Sequence, residues 1–170
     1  MKNEKQLDAA LVSSLQTNTE FRNWFLSQTK TESSFKELVL LRADYPWGKF
    51  RAILPNPIPG AIEVVVKEAE TDILLVVERV DGKRIGFHIE NKLALGSFTP
   101  HQPEMYAVRA EAWRKNSDYG NYDEWETVLI APQAFFEKFK SDARKFISFI
   151  SHEELAKKIS VFAGTGASDA

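Results

Sequence analysis

Apolar positions in the first 42 residues recur at helical spacing. Leu7, Leu11 and Leu15 open one pattern. Thr17-Asn18-Thr19 then offers an N-cap, and Phe21, Trp24 and Phe25 follow on one face. The same spacing predicts a second short helix over residues 35–41. Pro46-Trp47-Gly48 and Pro55-Asn56-Pro57-Ile58-Pro59-Gly60 mark irregular chain, with Phe50, Ile53 and Leu54 packing between them. The period then shortens to that of strands. Residues 62–67, 71–78 and 85–93 predict a three-stranded meander. Ser97-Phe98-Thr99-Pro100 introduces a helix through about residue 115, and 127–132 is a short buried strand. Helices are expected over 135–150 and 152–162, followed by a frayed tail over 164–170. A strand that follows a crossover helix lies parallel to its neighbour. The expected fold is therefore α/β, a mixed central sheet flanked by helices.

Composition narrows the chemistry. The 170 residues suit one domain, taken as 1–163 plus the tail, and a 44% apolar content supports a real core. Cysteine is absent, which excludes disulfides and thiolate metal sites. Three histidines, His88, His101 and His152, make a histidine-rich zinc site a poor expectation. A hard cation held by oxygen remains open. No apolar run approaches the roughly 20 residues of a membrane span, and no signal peptide is evident, so a cytoplasmic protein with no membrane partner is expected. A net charge of −2 is not the footprint of strong non-specific DNA binding, although a local basic groove is compatible with it.

The candidate chemistry lies on the strands. Residues alternate faces along a strand, so His88, Glu90 and Lys92 share one face opposite Ile85, Phe87 and Ile89. The preceding strand opens with Asp72. A two-residue Asp81-Gly82 turn would pair 80 with 83 and leave Asp72 opposite Asn91, on the wrong face. A three-residue loop with a glycine bulge, or a five-residue loop, would set Asp72 across from Glu90, about 5 Å away. Gly82 suits such a bulge because it accepts positive φ. Two carboxylates and a lysine beside near-continuous apolar strands are costly unless paired or bound to a metal. His88 is read as a packed strand histidine.

The helix after the third strand carries Gln102 and Tyr106 one turn apart, with Arg109 and Trp113 continuing that face. Two readings stand. In one, Thr99-Pro100-His101-Gln102 is a capping box with Pro100 at the first helical position, and the aromatic residues are core. In the other, Gln102 and Tyr106 point toward the carboxylates and hold a phosphate or the sugar-phosphate backbone.

Asp72, then Glu90-Asn91-Lys92, then Gln102-Pro103-Glu104-Met105-Tyr106, in this order of elements, resembles the PD-(D/E)XK nuclease superfamily. The Gln-x-x-x-Tyr step is similar to its RecB-like branch. The resemblance covers about residues 60–132, with 17–28 or 33–41 as the preceding helix. It implies a restriction-endonuclease-like αβββαβ core and metal-dependent hydrolysis of phosphodiesters. Asp72 and Glu90 would be the metal ligands, joined by the backbone carbonyl of Asn91. Lys92 would orient or activate the attacking water, and Gln102 and Tyr106 would contact substrate. The cofactor implied is Mg²⁺, with Mn²⁺ as substitute. Thr71 stands where the motif has proline. Many members add a glutamate on the first helix, for which Glu20 and Glu37 are the candidates.

The expectation is a small magnesium-dependent nuclease acting on nucleic acid, with DNA favoured. The alternative is an inactive nuclease-fold binding module or a subunit of a larger nucleic-acid-processing assembly. A homo-oligomer and a partner subunit both stay open.

Overall fold

Helix α1 (Glu4–Thr17) turns Leu7, Leu11 and Leu15 onto one buried stripe. It is started by an Asn3 capping box, in which Gln6 reciprocates. Asn18 ends it and caps α2 (Thr19–Ser27), which buries Phe21, Phe25 and Leu26. These side chains cover one face of a sheet in a computed structural model that describes residues 2–31, 34–55 and 58–166.

The sheet has five strands in the order β1 (Phe35–Arg42), β4 (Ile73–Arg79), β5 (Arg84–Asn91), β6 (Glu124–Ala131), β7 (Ser148–Ser151). β1, β4 and β5 are antiparallel, while β6 and β7 run parallel to β5. The fold is thus α/β with a mixed sheet. Two strands, β2 (Trp47–Pro55) and β3 (Ile62–Glu70), form a separate two-stranded sheet. They lie against α3 (Gln102–Ala112), with Ala52 and Leu54 packed on Met105. Short helices α4 (Gln133–Lys138), α5 (Lys140–Ala143) and α6 (His152–Ala156) complete the chain.

Both sheet faces are covered. Ile73, Leu75, Val77, Phe87, Ile89, Val128 and Ile130 meet the α1, α2 and α6 layer. Leu129 and Ala131 pack with Tyr106 of α3 and Phe135 of α4, and Leu74 and Val76 with Trp113 and Tyr122. The central strands are buried on both faces because each face has its own covering layer.

Several expectations are corrected. Residues 35–41 are not a helix but β1, paired to β4. Two register shifts, between Phe35 and Glu37 and between Leu38 and Leu40, change which face successive residues present and give the strand a helix-like spacing. The stretch expected to be irregular contains β2, with Phe50, Ala52 and Leu54 turned inward and Ile53 outward. Residues 62–67 do form a strand, but it pairs with β2 and not with β4. The helix expected over 135–150 ends early, and Ile150 lies in β7. The expected helix over 152–162 is α6 followed by a short 3-10 turn, Ser160–Phe162. Within the expected tail, Thr165 Oγ1 lies 2.7 Å from His152 Nδ1 and donates to Phe162 O, while residues 167–170 lie outside the described set. Among the described residues no helix is long and apolar enough to cross a membrane.

Candidate active site

The β4–β5 turn decides the register. Arg79 N–H donates to Lys83 O, enclosing the three-residue loop Val80-Asp81-Gly82, with Gly82 at φ 86°. Glu78 then pairs with Arg84 and Ile73 with Ile89. One step further sets Asp72 opposite Glu90. Counting from the hydrogen-bonded 79–83 pair, 72–90 is a non-hydrogen-bonded pair, the type with closer side chains.

Glu90 and Lys92 are 3% and 8% exposed, and Lys92 Nζ lies 2.8 Å from Glu90 Oε1. Gln102 Nε2 donates to the same oxygen at 2.9 Å, and Tyr106 Oη donates to Glu90 Oε2. Asp72 is half-buried and accepts from Asn91 N–H at 2.9 Å. Burial holds the Asp72 carboxyl well above the usual carboxylate range, and the nearby Glu90 charge raises it further.

Asn91 is turned two ways. Its N–H and C=O lie on the edge facing β4. The donor that would meet its carbonyl in a continued ladder is Thr71 N–H, which bonds Pro46 O instead at 3.0 Å. Its side chain points to the opposite sheet face. There Nδ2 donates to Asp8 Oδ1 at 2.8 Å, and Oδ1 lies 2.8 Å from His152 Nε2. Tyr45 Oη donates to the other Asp8 oxygen at 3.2 Å. Burial pushes the Asp8 carboxyl up to about 6 and lowers His152 to about 4.

A third chain of contacts supports the wall behind Asp72. Arg109 Nε donates to Thr71 Oγ1 at 2.7 Å, and that oxygen lies 2.9 Å from His88 Nδ1. His88 Nε2 lies 3.0 Å from Tyr122 Oη, which donates to Ala110 O. Thr71 Oγ1, both His88 ring nitrogens and Tyr122 Oη are satisfied if Thr71 donates to Nδ1 and His88 carries its proton on Nε2, while one terminal nitrogen of the Arg109 guanidinium is buried with no hydrogen-bond partner. Burial, then the Arg109 charge, holds His88 neutral. A proline at position 71 could make none of these bonds.

The expected site residues Asp72, Glu90, Asn91, Lys92, Gln102 and Tyr106 therefore meet at the carboxyl end of β5. Two details differ from expectation. Tyr106 is 1% exposed, and its hydroxyl donates to Glu90 and accepts from the Asp72 N–H, so it holds the carboxylate from within the core. α3 begins at Gln102 after His101 in a left-handed conformation, with Pro103 and not Pro100 in its first turn. Gln102 accepts from Thr99 N–H as in a capping box, while its amide N–H donates to Glu90, so one side chain both caps the helix and points toward the carboxylate.

Glu20 is exposed on α2 and Glu37 is exposed on β1. The helix acid that reaches the site is Asp8, which sequence reading missed. Its signal was its place on the α1 stripe, three residues before Leu11 and seven before Leu15. The buried Glu126 is engaged elsewhere, accepting from Lys30 N–H, Thr31 and Ser148. A cleft of about 550 Å³ beside Asn23, Ser27 and Phe35 lies at the opposite end of the sheet.

The donor set suits a hard cation. Among the described residues no three His, Cys, Asp or Glu side chains converge. Asp72, Glu90 and the Asn91 carbonyl provide two carboxylates and one carbonyl, and Mg²⁺ commonly takes one or two carboxylates and keeps several waters. Asp8 reaches this set through Asn91 and through its field. No protein-family model, curated protein or solved structure matches this chain.

Proposed function

We propose that this chain is a divalent-cation-dependent nuclease of the PD-(D/E)XK type, with DNA as the first substrate to test. The carrying observation is the register that sets Asp72 opposite Glu90 with Lys92 Nζ 2.8 Å from the Glu90 carboxylate. The order of elements supports it. With the β2–β3 hairpin set aside, the chain runs helix, β1, β4, β5, α3, β6, which is the αβββαβ order of a restriction-endonuclease-like core.

In this reading Asp72, Glu90 and the Asn91 carbonyl hold Mg²⁺, or Mn²⁺ in its place. The ion, when bound, supplies Lewis-acid polarisation of the scissile phosphate and a more acidic water. Lys92 leaves Glu90 to hold the attacking water and offset charge developing on the phosphate. Tyr106 and Gln102 fix the Glu90 carboxylate, and Arg109 with Thr71 and His88 fixes the approach to Asp72.

One observation favours the alternative of a binding module. Lys92 Nζ already pairs with Glu90 Oε1, so a metal cation must displace an ammonium to reach that oxygen. Cleavage of a panel of DNA and RNA substrates with Mg²⁺ or Mn²⁺, paired with calorimetric metal titration, separates the two. Metal binding with cleavage that Asp72→Ala abolishes supports the nuclease. No divalent binding at millimolar concentration overturns it.

A further inference from the structure

The β2–β3 hairpin leaves one face open to solvent, and the pattern on that face is ordered. Exposure alternates along both strands, with Trp47, Lys49, Arg51 and Ile53 outward on β2 and Ile62, Val64, Val66, Glu68 and Glu70 outward on β3. The register pairs Trp47 with Glu70, Lys49 with Glu68, Arg51 with Val66 and Ile53 with Val64. Ile53, Ile62, Val64 and Val66 are 64%, 69%, 49% and 56% exposed, a contiguous β-branched patch. The charges at the other end are sorted by strand, cations on β2 and acids on β3. Among the described residues none of Lys49, Arg51, Glu68 and Glu70 joins an ion pair.

We propose that this face binds the same face of a second copy of the chain, about a two-fold axis parallel to the strands. Such an axis lays β2 over the partner's β3. Lys49 then meets Glu68 of the partner subunit, Ile53 meets Val64 of the partner subunit, and the Arg51 stem lies over Val66 of the partner subunit. A two-fold axis across the strands fails. It would stack β2 on β2, with Arg51 against its own copy and Lys49 over Ile53. The first arrangement sets Ile53 on an apolar partner and Lys49 on an acid, with Trp47 beside Glu70 of the partner subunit; the second gives neither match. Two packed hairpins also satisfy the aligned geometry of face-to-face sheets. The inference does not depend on the nuclease reading, because the hairpin contributes no ligand to the site.

A hairpin face is smaller than the roughly 800 Å² per partner of a standard interface, so association in the micromolar range is expected. Sedimentation equilibrium on the full chain, from about 1 to 200 μM, should show a mass rising from 19.3 kDa toward twice that value. Val64→Asp should hold the protein monomeric across the range. Lys49→Glu should weaken association at least about 10-fold, and adding Glu68→Lys should restore it. Because these side chains face solvent, circular dichroism should be unchanged in each variant. A monomer at 200 μM overturns the proposal. So does a dimer that Val64→Asp leaves intact, or a double charge swap that associates no better than Lys49→Glu alone.

Discussion

Replacing Asp8 by asparagine tests the electrostatics of the site apart from any catalysis. Asp8 is 3% exposed, and burial moves its carboxyl from 3.8 up to about 6. A folded-state value above the unfolded one means that the folded protein holds the proton more tightly. The penalty is therefore absent below the unfolded value, grows as pH rises through the folded value, and is complete above it. At 1.36 kcal/mol per tenfold change in proton affinity, the cost near pH 8 is about 3 kcal/mol. Asparagine keeps the shape, an acceptor for Asn91 Nδ2 and a group facing Tyr45, but carries no charge. In EDTA, urea denaturation should find Asp8→Asn more stable than wild type by up to about 3 kcal/mol at pH 8, with the difference gone near pH 4. Saturating Mg²⁺ should narrow the gap at pH 8, because a bound cation offsets the wild-type charge cluster. A difference of equal size at both pH values, or a variant less stable at pH 8, would refute the argument.

Lys92→Met should lower cleavage roughly 10²–10⁴-fold while calorimetric metal affinity holds or rises, since a cation competing for Glu90 is gone. Tyr106→Phe should weaken metal binding about 10-fold or more by freeing the Glu90 carboxylate, a change that titration with Mn²⁺ can read. Gly86→Ala should destabilise by about 1–3 kcal/mol in urea, because its Cβ would lie 2.6 Å from the Tyr122 ring. If that variant is as stable as wild type, the close packing of Tyr122 on β5 is wrong.

The central part of the fold was legible because β4, β5 and β6 each carry dense runs of β-branched and other apolar residues. The opposition of Asp72 and Glu90 was legible only as a choice between turn lengths, and Gly82 at positive φ decides it. β1 was read as helix because its bulges break the two-residue period. β2 was hidden by flanking prolines and by Ala52, too small to mark an inward position. β7 was absorbed into a helix because Phe146 and Ile150 fit the four-residue spacing that Phe135 and Phe139 begin. The role of Asp8 was hidden for another reason. An acid on an apolar stripe has no partner in its own helix, and Asn91, its partner, lies 83 residues further on.

The contacts of the Asn91 side chain bear on how the protein is made. One side of that amide is held by α1 and the other by His152, itself joined to Thr165. A ribosome delivers residues at about 5–20 per second, amino end first. Asp72, Glu90 and Lys92 thus emerge several seconds before the histidine that steadies the residue between the last two. Until then Asn91 has its Asp8 partner alone, and the nascent chain carries acids and lysine without their final geometry. The full set of contacts on the Asn91 amide waits for the arrival of the last helix, so a ribosome stalled before residue 152 would display Glu90-Asn91-Lys92 without the His152 contact.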